Sequence, residues 1–278
     1  VQMARGLRRQ PLQLAAPPRG LAAYLGLMAG MALLIALAPP LSFDSLVYHL
    51  TGPQRYLQAG AIRPGLDLLH LNYPALTEML YTLALSVAGE GAAASIHWAY
   101  GLLAGLTVLA ITARWFGRRT GWLGLAVWAS MPMVFILAGW AYNDLALAFY
   151  QMLAMAAVLR WREDRAGRWL ILAGLAMGLA LGQKYTSAFG AAALGALILW
   201  DAGRAKWPAG QTLRALSAFV APALLVAAPW YIKNWAFTGN PVYPFLFGGR
   251  FWDDFRRVWY QRPGSGLGWD IQALALLP

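Results

Sequence analysis

Apolar stretches recur along the chain at residues 21–40, 74–88, 93–113, 120–139, 145–159, 169–200 and 213–231, separated by short polar segments. A membrane-spanning helix needs about 17 to 25 predominantly apolar residues, and most of these runs approach or reach that length. The run 169–200 would extend about 48 Å as one helix, too long for a hydrocarbon core of about 30 Å. Gln183-Lys184-Tyr185-Thr186-Ser187 interrupts it, so two short spans turning at Lys184 fit better. The run 74–88 is short and contains Glu78; it reads as a juxtamembrane helix rather than a crossing. The pattern predicts an all-α polytopic transmembrane bundle of about seven spans, with a long first outer loop containing juxtamembrane helices.

Composition sharpens this picture. Of 278 residues, 60% are hydrophobic and 12% charged, about half the charged share of a soluble globule. The apolar excess must meet lipid. Lys and Arg number 22 against 11 Asp and Glu, a net charge of +11. In a soluble chain that excess would suggest nucleic acid; here the basic residues gather in short loops between apolar runs, which is a topology signal. It puts the basic groups near residues 5–19, 114–119, 160–168 and 204–214 in the cytoplasm. The first apolar run follows Arg5, Arg8, Arg9 and Arg19 without a small-residue cleavage site before a soluble domain, and reads as an uncleaved first span. The expected organisation is a cytoplasmic basic segment at 1–20, a bundle at 21–232 with its outer loop at 42–94, and an outer-face tail at 233–278. Cys is absent, which removes disulfides and thiolate chemistry from this sequence.

Ionisable residues at a bilayer are costly and therefore informative. Asp44 opens the first outer loop, and helical spacing sets it beside Tyr48 and Ser45 beside His49. Asp144 follows Asn143 at the start of the run 145–159. Each has a plain alternative: Asp44 or Ser42 as the cap of a short interfacial helix ended by Pro53, and Asp144 as an N-cap favoured by the helix dipole. Their shared depth on one membrane face favours chemistry, because paired carboxylates can position a nucleophile and supply a base. Lys184 fits either snorkelling to the interface or binding a phosphate. Lys233 lies behind an aromatic anchor, while Arg250, Arg256 and Arg257 lie in a stretch suited to anionic headgroups. His49, His70, Asp67 and Asp44 lack a tight metal-ligand spacing, and no metal or cofactor is expected. His97 reads as structural.

In order, the elements Phe43-Asp44-Ser45-Leu46-Val47-Tyr48-His49, Tyr73-Pro74, Phe116-Gly117-Arg118-Arg119-Thr120-Gly121, Asn143-Asp144-Leu145-Ala146-Leu147 and Gly182-Gln183-Lys184 resemble GT-C-type membrane glycosyltransferases. The nearest subgroup looks like the protein O-mannosyltransferase and lipid A aminoarabinose transferase relatives, over about residues 20–245. The resemblance implies an inverting enzyme that moves a sugar from a polyprenyl-phosphate donor to an acceptor hydroxyl on the outer face of a bacterial inner membrane. Asp44 matches the family's catalytic first-loop acid, Asp144 the acid of its second outer loop, and Lys184 a lysine common after the fifth span. In that scheme Tyr48, His49 and Tyr73 lie on the substrate side, and Lys184, with Lys233, Arg256 or Arg257 behind it, meets the departing phosphate. Ser45 stands where many relatives carry a second acid, and Tyr73 where a basic residue often precedes the Pro. Relatives usually continue with further spans, so the chain reads as an N-terminal portion. The competing expectation is a non-catalytic, lipid-binding subunit that works with other subunits of a larger assembly.

Overall fold

A computed structural model describes residues 16–261; Arg5, Arg8 and Arg9 and the tail beyond 261 lie outside the described residues. Within them the regular structure is entirely helical. The helices are α1 (Arg19–Leu37), α2 (Thr51–Ala59), α3 (Leu76–Phe116), α4 (Arg118–Ser130), α5 (Pro132–Ala138), α6 (Asp144–Asp164), α7 (Arg168–Leu181), α8 (Ser187–Arg204), α9 (Ala209–Thr238) and α10 (Asp254–Gln261).

Helix boundaries follow local chemistry. In α3 the backbone leaves helical geometry at Ala88 and at Gly89, where φ is +77°. Glycine takes that conformation without a Cβ clash, so the short segment carrying Glu78 is set off from the long helix that follows. The apolar run 120–139 is not one helix: Met131 is extended, as residues before proline tend to be, and α4 and α5 meet at a bend of 69°. Pro53 does not end a helix. It sits in the first turn of α2, where its missing N–H removes no helical hydrogen bond. The last long helix also runs on past Tyr231, so that Lys233 lies within α9.

By length and composition, α1, α3 and α9 can cross a membrane, and the bent pair α4–α5 could count as a fourth. The seven-span expectation exceeds this number because three apolar helices fall short of it. Helix α6 ends in the charged turn Arg160–Asp164, α7 has 14 residues, and α8 ends with Asp201 and Arg204.

Packing turns on small residues. Helix α7 lies so close to α9 that a Cβ on Gly174 would stand 2.2 Å from the Phe219 carbonyl oxygen, and one on Gly178 2.6 Å from that of Ala223. Close backbone approach of this kind drives helix association where water supplies no hydrophobic force. Around it Val158, Trp161, Leu170, Met177, Ile198 and Phe219 form the largest buried cluster. Gly174→Ala is expected to force the two helices apart at an overpacking cost of about 1 to 3 kcal/mol, lowering the melting temperature in detergent. Gly195→Ala, which meets nothing within 4 Å, serves as the control. A Gly174→Ala protein that melts with the wild type would refute this account of the interface.

Helices α6 and α7 form an antiparallel hairpin that sets two functional ends about 30 Å apart. At the C-terminal end of α6, buried Asp201 takes Arg162 at 2.9 Å and Arg165 at 3.0 Å, and Glu163 pairs with Arg114 and Arg160. At the other end, Asp144 begins α6 and Lys184 follows α7.

Candidate active site

The loop after α1 enters a wide π-type turn, Ser45–His49, closed by the Leu50 N–H donating to the Ser45 carbonyl at 2.9 Å. Asp44 precedes this turn but makes no side-chain capping bond. Its carboxylate instead lies toward the Tyr48 hydroxyl four residues on. Burial first, and then this carboxylate, push the Tyr48 pKa upward, so the phenol stays protonated. Asp144 and Glu78 add to the shift from further away.

Asp144 is likewise not the helix cap. Asn143 occupies that position, and Asp144, in the first turn, accepts from Lys184 Nζ at 2.7 Å. Their side chains are 35% and 31% exposed, which puts the pair at a rim rather than in the interior. The backbone of Lys184 is fixed separately: its carbonyl accepts from the N–H and Oγ of Ser187, which starts α8.

The Asp44 turn and the Asp144 turn are stitched together. Ser45 Oγ donates to the Ala141 carbonyl at 3.3 Å, and the Tyr142 hydroxyl meets both the Asp44 backbone and the Ser42 side chain. Tyr81 anchors the same strap through the Tyr142 carbonyl. His97 holds it from below. Its Nε2 accepts from the Leu145 N–H at 2.9 Å, so the ring proton is on Nδ1 and donates toward the carbonyls of Leu137 and Trp140, each at 2.8 Å.

Beneath the two turns lies a buried polar centre. Glu78 Oε1 accepts from His49 Nδ1 at 2.6 Å and from Asn143 Nδ2 at 3.1 Å. Gln183 Oε1 accepts from the adjacent Thr77 N–H at 3.2 Å. A cavity of about 260 Å³ opens over this centre, walled by Tyr48, Tyr56, His70, Tyr73, Tyr185 and Phe245, with Lys184 at its lining. His70 stacks on Tyr48 with centroids 4.2 Å apart and meets Tyr73 edge-on at 5.4 Å. Burial lowers its pKa, opposed by Asp44, which leaves a neutral imidazole against the phenol at neutral pH.

Of the residues singled out in the sequence, Tyr48, Tyr73 and Lys184 line this cavity; His49 and Asp144 lie behind the lining, bonded to Glu78 and Lys184, and Asp44 lies on the turn that carries Tyr48. Lys233 does not present a free ammonium to it. Its Nζ donates to the carbonyls of Leu71 at 3.1 Å and Tyr73 at 2.6 Å, clamping the cavity wall to α9. Arg256 and Arg257 sit on α10, paired locally with Asp253 and Asp254, and do not line the cavity. Asp67 is held by two hydrogen bonds from Arg55, at 2.7 and 2.9 Å. Among the described residues no group of three or more His, Asp or Glu side chains is arranged to hold a metal ion. Sequence reasoning missed the part played by Glu78, Asn143 and Gln183. The available signal was Glu78 itself, a lone carboxylate in an apolar run.

Fold and site together define a polytopic helical membrane protein with an aromatic-walled cavity over a buried polar centre at one end of the bundle. The family model of dolichyl-phosphate-mannose-protein mannosyltransferases matches residues 73–232, more than half of the chain, and the chain belongs to that family. It is thus an integral membrane protein and a membrane glycosyltransferase of the GT-C type. The matched segment includes Glu78, Asp144 and Lys184, whereas Asp44 precedes it. No curated protein and no solved structure matches the chain.

Proposed function

We propose that this chain transfers a sugar from a polyprenyl-phosphate donor to an acceptor hydroxyl at the outer face of a bacterial inner membrane, with inversion at the anomeric carbon. The observation that carries the proposal is the stitching of the Asp44 turn to the Asp144 turn beside a cavity lined by Lys184, which is bonded to Asp144. Asp44 is the general base: it takes the proton as the acceptor oxygen attacks the anomeric carbon and the bond to the phosphate oxygen breaks. Asp144 holds Lys184 at the rim, where the ammonium stabilises the negative charge on the departing polyprenyl phosphate.

An adjoining groove supports a long isoprenoid tail. An apolar cavity of about 580 Å³ is lined by Leu181 of α7 and by Leu224, Tyr231, Ile232 and Trp235 of α9. Tyr185 links the two cavities, lining the aromatic-walled one and meeting Tyr231 edge-on at 5.9 Å. The concentration of Arg and Lys at the opposite helix ends favours a cytoplasmic position for that end. In this arrangement α6, α7 and α8 also cross the bilayer, completing seven spans.

The test is reconstitution of the full-length protein in proteoliposomes with a radiolabelled polyprenyl-phosphate hexose. Time-dependent conversion of the donor to polyprenyl phosphate, absent from empty vesicles, is the expected result. Donor that binds but is never turned over, across a range of acceptor extracts, would favour the lipid-binding subunit reading instead.

A further inference from the structure

The buried polar centre is incompletely satisfied in a consistent way. Glu78, Asn143 and Gln183 are 7%, 3% and 1% exposed, and all three line the aromatic-walled cavity. Each uses one polar atom within the protein and leaves the other without a partner. Glu78 Oε1 accepts from His49 and Asn143, and Oε2 is unpaired. Asn143 Nδ2 donates to Glu78, and Oδ1 is unpaired. Gln183 Oε1 accepts from the Thr77 N–H, and Nε2 is unpaired. These same bonds orient both amides, because reversing either would set donor against donor or acceptor against acceptor.

The three residues are also neighbours. Glu78 is bonded directly to Asn143, and Gln183 to the residue preceding Glu78. Their unpaired atoms amount to two acceptors and one donor, and His70 Nδ1 in the same lining is unpaired as well. Buried polar atoms of this kind are costly unless something pairs with them.

We infer that Glu78, Asn143 and Gln183 are the residues that read the donor's sugar, through hydrogen bonds to neighbouring hydroxyls of its ring. The inference rests on the polyprenyl-phosphate reading above and adds the residues that recognise the sugar. A hydroxyl both donates and accepts, so neighbouring hydroxyls satisfy Glu78 Oε2, Asn143 Oδ1 and Gln183 Nε2 together. A uronic acid would set its carboxylate against Glu78. The C–H face of the ring packs against the aromatic wall formed by Tyr48, His70 and Tyr73.

The experiment measures binding of bare undecaprenyl phosphate and of undecaprenyl-phosphate mannose, glucose and galactose to the full-length protein in nanodiscs. At least one neutral hexose donor is expected to bind about 10- to 100-fold more tightly than the bare carrier, the scale of one or two added hydrogen bonds, one of them to a charged group. In Gln183→Leu and Asn143→Leu the ratio of the two affinities is expected to collapse toward one. If the bare carrier binds and none of the three hexoses improves on it, the atoms are satisfied by water and the inference is overturned, while the donor proposal stands. A ratio unchanged in both variants overturns it equally. If no polyprenyl phosphate binds at all, the functional proposal falls and the subsite with it.

Discussion

Asp44→Asn is expected to lower sugar transfer by the full-length protein by about 100- to 10,000-fold, the usual contribution of a positioned general base. The substitution keeps the shape of the side chain and an acceptor oxygen on the side of the Tyr48 hydroxyl. The backbone contact between Asp44 and Tyr142 does not depend on the carboxylate. Asp44 makes no side-chain capping bond to its turn, so its loss removes no cap. The melting temperature should therefore stay near that of the wild type while turnover collapses. Donor affinity should change much less than turnover, because the base acts mainly in the transition state. Wild-type transfer by a normally folded Asp44→Asn protein would remove Asp44 from the mechanism.

Lys184→Met is the second large effect, with kcat/KM for the donor expected to fall about 10- to 1,000-fold. A cation on a departing phosphate acts through a charge-assisted contact that strengthens as negative charge develops. Stability separates this role from a structural one. The Lys184–Asp144 pair is about a third exposed on both sides, and ion pairs in contact with water contribute about 0 to 1 kcal/mol. Asp144 remains accessible to water when Lys184 is lost. The α7–α8 turn keeps its form through bonds from Ser187 to the Lys184 backbone carbonyl. Lys184→Arg should recover part of the activity, since it restores the charge but not the compact geometry. Measurement of kcat/KM alongside melting in detergent decides the matter: equal losses in both would make Lys184 a structural residue.

Much of the architecture was legible along the chain because membrane helices announce themselves locally. The break at Lys184 followed from a stretch of apolar sequence too long for the bilayer, and α7 and α8 do stop and start on either side of it. The short helix carrying Glu78 was separable for the opposite reason, an apolar run too short to cross, and Gly89 supplies the break. Other boundaries depended on single residues whose effect is positional. Pro53 reads equally well as the end of one helix or the first turn of the next, and its place in α2 follows from the wide turn at Ser45–His49. Lys233 looked like a phosphate ligand because sequence shows a cation near an interface. Its two carbonyl partners come from a loop roughly 160 residues earlier.

The candidate site divides along the same line. Hydropathy and charge, which act over one or two helical turns, were sufficient to determine an all-helical membrane protein and to bring Asp44, Asp144 and Lys184 to notice at helix ends. The stitching of the Asp44 turn to the Asp144 turn was decided in three dimensions, as was the pairing of Glu78 with His49 and Asn143. So was the cavity lined by Glu78, Asn143 and Gln183, each with one buried polar atom unpaired. Those contacts join residues 29 to 106 positions apart. Directional hydrogen bonds over such separations depend on how α3, α6 and α7 pack, and no local pattern of residues encodes that packing.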